Sequence, residues 1–123
     1  MKKLLTVVVF AFFLVGCGNE FITFSGESDN WKGKYATNVD GSRENGEYTF
    51  SFKDATNVTA FKNLEIIIND GKKHLREEEH KGATVKIPTS CSGCAVTPKD
   101  ATIKVTIKWN DKNEETFFLE NGK

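Results

Sequence analysis

The feature that most constrains the fold of this chain is an alternation of apolar and polar residues with a period of two. It is clearest between residues 102 and 109, where every second residue is apolar: Ile103, Val105, Ile107 and Trp109. Successive side chains of a β-strand point to opposite faces of a sheet, so this stretch predicts a strand with one buried face and one solvated face.

The same alternation recurs along most of the chain. It is present in the stretches 31–35, 47–53, 61–69, 85–87 and 115–119. Turn residues separate these stretches, and Asn69-Asp70-Gly71-Lys72 contains an Asp-Gly pair that suits a two-residue type I′ hairpin. We expect the strand around Val85 and Ile87 to stop at Pro88, since proline has no N–H for a sheet ladder.

The segment from His74 to Lys81 departs from this pattern because it is almost wholly charged. We predict a polar edge strand there, with a helical turn as the alternative. Seven or eight short strands without an amphipathic helix predict an all-β protein, with two antiparallel sheets packed as an immunoglobulin-like sandwich. A small β-barrel shows the same alternation and is the alternative fold.

The N-terminus has the features of an export signal. Lys2 and Lys3 precede an apolar run from Leu4 to Val15 that only Thr6 interrupts. This run of 12 residues is shorter than the roughly 20 that a helix needs to cross a bilayer. It therefore predicts a secretory signal peptide over residues 1–16.

The end of this leader, Leu14-Val15-Gly16-Cys17, resembles the lipobox of bacterial lipoproteins. The resemblance implies that Cys17 receives a diacylglyceryl group and becomes the first residue of the mature protein after cleavage by signal peptidase II. Two acyl chains hold a protein stably at a membrane. We therefore expect a lipid anchor on Cys17, a tether over residues 17–20 and one domain over residues 21–123, on the extracytoplasmic face of the cell membrane.

The charge composition argues against nucleic acid as a partner. Without residues 1–16 the chain has 107 residues, with 15 Lys and Arg against 17 Asp and Glu. The basic residues are scattered singly along the predicted strands, whereas nucleic acid or an anionic lipid surface requires a cationic patch.

Lipidation of Cys17 leaves Cys91 and Cys94 as a C-x-x-C pair. We predict that they form a local disulfide or a thiol pair that fixes the loop 88–100, because no helix fits behind Cys91 to lower a thiol pKa for thioredoxin-like chemistry. A redox-active pair, and half of a zinc site completed by His74, His80 or a carboxylate, are the alternatives. We predict neither a metal nor a cofactor.

Two further groups of residues have structural interpretations. On an extended strand His74 and Glu78 are about 13 Å apart, too far to share one ion, so a solvated charge run is favoured over a metal site at His74, Glu78 and His80. Six aromatic residues are in phase with the apolar faces of their strands, which predicts core positions for Trp31, Tyr35, Tyr48, Phe50, Phe52 and Trp109. We expect Trp31 and Trp109 to be partly exposed, because they lie near strand ends. Neither a nucleophile elbow nor a glycine-rich phosphate loop is recognisable, so we predict no enzyme activity.

The stretch Phe24-Ser25-Gly26-Glu27-Ser28-Asp29-Asn30-Trp31, with Lys34-Tyr35 and with Lys108-Trp109 before a terminal hairpin, resembles a group of small lipoproteins of Bacillus-like bacteria. The resemblance implies a β-sandwich and a Gram-positive host, and it implies no activity.

These observations together predict a non-enzymatic, membrane-anchored module that binds a cell-envelope protein or a glycan. The alternative is a membrane-tethered thiol-redox or metal-binding protein that uses Cys91 and Cys94.

Overall fold

A computed structural model describes residues 20–54, 59–93 and 95–122. The signal peptide, Cys17 and Cys94 lie outside these ranges, so the predictions made for them stay predictions. Eight β-strands are present: β1 (Glu20–Glu27), β2 (Trp31–Asp40), β3 (Arg43–Phe52), β4 (Ala60–Ile68), β5 (Lys73–Lys81), β6 (Thr84–Ser92), β7 (Thr102–Trp109) and β8 (Asn113–Asn121). Within the described ranges, no helix has the length and apolar character needed to span a membrane.

The eight strands form one sheet in the order β5-β4-β7-β8-β1-β2-β3-β6, and every neighbouring pair is antiparallel. The prediction of an all-β, antiparallel fold with seven or eight strands is therefore confirmed. The sheet is continuous and nearly closed, with β5 and β6 at its edges, which is the connectivity of the barrel alternative.

The inner face of the sheet holds the core. Along β2 the buried positions alternate with exposed or half-buried ones, and along β7 they alternate with half-buried ones, as the period of two predicts. The fully buried side chains come from six of the strands and include Phe24, Trp31, Phe50, Leu64, Ile66, Ile107 and Leu119. Burial of these large apolar groups is the main stabilising contribution in a domain of this size.

The prediction that Trp31 and Trp109 are partly exposed is wrong. Trp31 is 0% exposed and Trp109 is 5% exposed. Their rings pack edge to face with centroids 5.6 Å apart, and Phe52 and Phe61 lie 5.1 and 5.3 Å from Trp31. This aromatic cluster fills one end of the barrel, because strand ends that converge on each other bury side chains that an isolated strand end would expose.

Two details of the predicted turns are also wrong. The β4–β5 hairpin exists, but Ile68 pairs with Lys73, so its loop has four residues and contains a short 3₁₀ turn at Asn69–Gly71. Strand β6 does not stop at Pro88 and instead continues to Ser92. Because β6 is an edge strand, a proline can be accommodated there where it could not be in the middle of the sheet.

The charged segment between β4 and β6 is the predicted edge strand. Strand β5 pairs with β4 on one side only, and its exposed positions carry charged side chains. Charged residues on an edge strand hinder pairing with another chain, so this composition protects the open edge of the sheet.

Candidate functional site

The two ends of the barrel are built differently. At one end, here called the closed end, the aromatic cluster around Trp31 lies beneath the β1–β2 and β7–β8 turns. The other end, here called the mouth, holds the start of β1, the β2–β3 turn, the β4–β5 loop and, between β6 and β7, Gly93 and residues 95–101. Glu20 therefore enters the barrel at the mouth, where it pairs with Val39.

A cavity of about 400 Å³ lies at the mouth, between the β4–β5 loop and residues 95–98. We call it the mouth cavity, and we call residues 95–98 the strap. The lining residues are Tyr48, Ile68, Asn69, Lys72, Lys73, Thr89, Ala95, Val96, Thr97, Pro98, Ala101, Thr102 and Ile103. They combine apolar walls with hydroxyl groups and two ammonium groups, and none of them is acidic.

A buried carboxylate holds the strap in place. Glu44 on β3 is 5% exposed, and its Oε1 atom accepts a hydrogen bond of 2.8 Å from the backbone N–H of Thr97. Its Oε2 atom accepts hydrogen bonds from the Tyr35 hydroxyl at 2.6 Å and from the Thr37 hydroxyl at 2.9 Å. Glu44 thus joins β2, β3 and the strap, so a single side chain ties the loop to the barrel wall.

The donors around Glu44 keep it ionised despite its burial. Burial raises the pKa of Glu44, but the hydrogen bonds from Tyr35, Thr97 and Thr37 outweigh burial and hold the pKa below its ordinary value. All three donors are neutral, and hydrogen bonds to a charged group are stronger than those between neutral groups.

Two stacked tyrosines connect this carboxylate to the cavity, since Tyr35 contacts Glu44 and Tyr48 lines the cavity. The rings of Tyr35 and Tyr48 are 4.1 Å apart and nearly parallel, and the Tyr35 hydroxyl also lies 3.1 Å from the Thr89 hydroxyl. Burial raises the pKa of Tyr48, and the negative charge of Glu44 raises it further. Tyr48 therefore keeps its proton at physiological pH, and within the described residues its hydroxyl has no hydrogen-bond partner.

Cys91 lies beside this group, since it pairs directly with Glu44 across the β3–β6 ladder. It is disulfide-bonded and sits within β6. Cys94 is outside the described residues, so the pairing of Cys91 with Cys94 stays a prediction. A position inside a strand lacks the helix N-terminus that lowers the thiol pKa in thioredoxin-like proteins.

The two histidines of the charged strand β5 do not lie together in one site. The Nε2 atom of His74 lies 2.6 Å from the Oε2 atom of Glu65, whereas His80 contacts the Glu77 carboxylate at 2.8 Å and the Thr84 carbonyl at 3.0 Å. The two histidines thus have separate partners. In the parts of the chain that the structure describes, no group of three or more His, Cys, Asp or Glu side chains is placed to hold a metal ion.

The Gly-Glu-Ser-Asp-Asn-Trp stretch has a structural role at the closed end. The carboxylate of Glu115 on β8 accepts hydrogen bonds from the Ser28 hydroxyl, the Asn30 side chain and the Asn30 backbone N–H, the last at 3.0 Å. At Gly26 a Cβ atom would lie 1.9 Å from the Phe118 carbonyl oxygen, so only glycine allows β1 and β8 to approach this closely.

Sequence reasoning missed the Glu44 group, although a signal was present. Glu44 is in phase with Tyr48 and Phe50 on β3, and Thr37 is in phase with Trp31 and Tyr35 on β2. Polar residues in phase with an apolar face are buried if the strand continues, and buried polar groups need partners. The alternation therefore marked these positions, but the pairing of Glu44 with the strap depends on the fold.

Comparison of the chain with protein-family models, with curated proteins and with solved structures finds no significant match. The resemblance to small lipoproteins of Bacillus-like bacteria stays a prediction, and the mouth cavity must be interpreted from its own residues.

Proposed function

We propose that this protein is a lipid-anchored, extracytoplasmic, non-enzymatic binding protein that takes up a small ligand in the mouth cavity. The observation that carries the proposal is the cavity itself: about 400 Å³ of space beneath a strap that a buried carboxylate holds in place. Ligand sites of proteins have volumes of roughly 300 to 1,000 Å³ and combine apolar walls with a few polar groups, as the mouth cavity does.

The position of the N-terminus supports an orientation with the mouth toward the membrane. Glu20 is three residues after Cys17, and three extended residues span about 10 Å. Phe21 is 71% exposed at the same end, and aromatic side chains are favoured at the interface of a membrane with water. A lipid on Cys17 would therefore hold the mouth cavity within a short distance of the bilayer surface.

The strap supports a binding role because few hydrogen bonds attach it within the described part of the chain. Besides the Thr97 bond to Glu44, Gly93 donates to the Ser42 carbonyl at 2.8 Å, and Ala101 donates to the Pro98 carbonyl at 3.1 Å. A segment with few backbone hydrogen bonds opens at lower free energy than a strand of the sheet. The strap can thus admit a ligand while the barrel stays folded.

Affinity selection tests the proposal. The full protein in nanodiscs is incubated with a small-molecule extract of the cell envelope, and retained compounds are identified by mass spectrometry. The matched variants are Ala101→Phe, which fills the cavity, and Ala60→Phe, which adds the same side chain at an exposed position on β4. We expect wild type and Ala60→Phe to retain a compound that Ala101→Phe loses. Equal retention by all three, or no retained compound, contradicts the proposal.

The lipid anchor has a separate test. Mass spectrometry of the N-terminal peptide of the membrane-extracted protein is expected to show a diacylglyceryl-modified Cys17, and Cys17→Ala is expected to release the protein from the membrane fraction. An unmodified Cys17 in the native protein contradicts the anchor and leaves the cavity proposal standing.

The alternative of a thiol-redox protein has less support, since Cys91 lies within a strand. Thiol titration after mild reduction distinguishes the two functions: a redox-active pair reduces readily and has a thiol pKa below that of ordinary cysteine.

A further inference from the structure

We infer that the ligand of the mouth cavity is a small organic anion with an apolar body, bound with its anionic group at Lys72 and Lys73. This inference rests on the proposed function, because it names the chemical class of the ligand that the same cavity would take.

The positive charges of the cavity lining are the first argument for an anionic ligand. Lys72 and Lys73 line the cavity, and within the described residues neither of them has a carboxylate partner. Two other lysines near the mouth are paired, since Lys99 contacts Glu20 at 2.7 Å and Lys104 contacts Asp70 at 3.2 Å. Lys73 is half-buried. Within the described residues no carboxylate balances the charge of this side chain, and a bound anion would supply the counter-ion.

The other surface cavities differ from the mouth cavity in the charges of their lining residues. Three other cavities of about 410 to 470 Å³ also contain lysines, but each includes acidic lining residues: Glu27 in one, Glu20 in the second, and Glu65, Asp111 and Glu114 in the third. The described lining of the mouth cavity has lysines and no Asp or Glu. Glu44 does not line it, and both of its oxygens already accept hydrogen bonds. The mouth cavity thus has the most positive lining of these four, with two lysines and no described acidic residue, against two lysines and one glutamate in the first of the others and balanced charges in the remaining two.

Neutral hydrogen-bond donors add to the same preference. Tyr48 keeps its proton, because burial raises its pKa, and its hydroxyl has no partner among the described residues. Thr102 adds a further hydroxyl group to the lining, whereas the Thr89 hydroxyl donates to Tyr35, whose own proton goes to Glu44. A carboxylate accepts hydrogen bonds and donates none, so it matches a set of hydroxyl and ammonium donors better than a cation does.

The remaining lining limits the body of the ligand. Ile68, Ile103, Val96 and Pro98 provide apolar walls, and the volume of about 400 Å³ is at the small end of the range for ligand sites. An anion that consists only of its charged group would leave the apolar lining residues in contact with water. The lining therefore favours a compact apolar or aromatic group next to the anionic group.

Benzoate and benzamide test this inference, because they share a ring and a shape but only benzoate is charged at neutral pH. Binding is measured by the thermal shift of the full protein in zwitterionic nanodiscs. We expect benzoate to bind at least about tenfold more tightly than benzamide. The double variant Lys72→Gln, Lys73→Gln is expected to lose that preference, whereas Lys32→Gln, Lys34→Gln, which removes the same charge on the outer face of β2, is expected to keep it.

The outcomes separate the inference from the proposed function. Equal binding of benzoate and benzamide, or a preference that survives Lys72→Gln, Lys73→Gln, overturns the anion assignment while a ligand site remains. Failure of benzoate to bind at all also overturns the assignment. If affinity selection from the envelope extract then retains no compound that Ala101→Phe loses, the proposed function fails as well. Both double variants change exposed or half-exposed side chains, and circular dichroism confirms that each has folded.

Discussion

Two carboxylates, Glu44 and Glu115, connect segments at the two ends of this barrel. Both do so by accepting hydrogen bonds, but one end is closed and the other contains a cavity. Glu44 accepts hydrogen bonds from two hydroxyl groups and a backbone N–H, and Glu115 accepts them from one hydroxyl group, one side-chain amide and a backbone N–H. Among the described residues, neither carboxylate forms an ion pair. Glu115 ties the β1–β2 turn to β8, above the packed aromatic cluster. Glu44 ties the strap to the barrel wall, next to a cavity.

The difference lies in what surrounds each carboxylate. Around the closed end, Trp31, Phe52, Phe61 and Trp109 fill the space between the strands. At the mouth, the corresponding space is bounded by the strap and the β4–β5 loop, and it stays partly open. The comparison teaches that a carboxylate with neutral donors can connect two segments at either end of the barrel. The packing beside the carboxylate then decides whether that end is closed or contains a cavity.

The largest expected effect is at the closed end. Gly26→Ala places a Cβ atom 1.9 Å from the Phe118 carbonyl oxygen, and backbone atoms cannot move away as a flexible side chain can. We expect a loss of more than about 4 kcal/mol in the free energy of unfolding, measured by urea denaturation, or failure to fold. A Gly122→Ala control, at a position with open space, is expected to be neutral. Near-wild-type stability of Gly26→Ala would show that the β1–β8 contact is looser than described.

Glu44→Ala is expected to have the next largest effect. It leaves the Tyr35 and Thr37 hydroxyls and the Thr97 N–H without their acceptor, at a cost of about 3 kcal/mol. Glu44→Gln keeps the shape and part of the acceptor capacity, so we expect about half that loss. Hydrogen exchange is expected to show faster exchange at Thr97 in both variants. Unchanged protection there would mean that Glu44 does not hold the strap.

Glu115→Ala is expected to cost less, about 1 to 2 kcal/mol, because this carboxylate is only half-buried and water can replace part of its contacts. Its effect on hydrogen exchange is expected at Asn30 and not at Thr97. An effect of Glu115→Ala on the strap would contradict the separation of the two ends.

The smallest expected effect is on the pH dependence of the free energy of unfolding. Burial raises the pKa of both Glu44 and Glu115, but hydrogen bonds, from Tyr35 foremost for Glu44 and from Ser28 foremost for Glu115, leave both values lowered in the folded protein. The stability they contribute is complete above the unfolded-state pKa of about 4.3 and is lost as the pH falls through the lower folded-state values. Denaturation at pH 7 and pH 3 is expected to show a smaller loss at pH 3 for Glu44→Gln and Glu115→Gln than for wild type.

Most of the fold is predictable from the sequence, and the reasons are local. The alternation in β2 and β7 depends only on the geometry of a single strand, and the charged composition of β5 follows from the need to protect an edge. The errors arose where strands meet: the four-residue β4–β5 loop, the continuation of β6 through Pro88, and the burial of Trp31 and Trp109. Each of these depends on which strand is the neighbour, and a period of two carries no information about neighbours.

The sequence by itself determined the all-β class, the approximate positions of most strands and the prediction of a lipid anchor at Cys17. Only the tertiary structure decided that Glu44 meets Thr97, that Lys72 and Lys73 line the same cavity as Tyr48, and that this cavity opens at the end where β1 begins. The physical reason is that a strand fixes the direction of its own side chains, whereas a site requires groups that lie dozens of residues apart, and only the pairing order of the whole sheet brings those groups together.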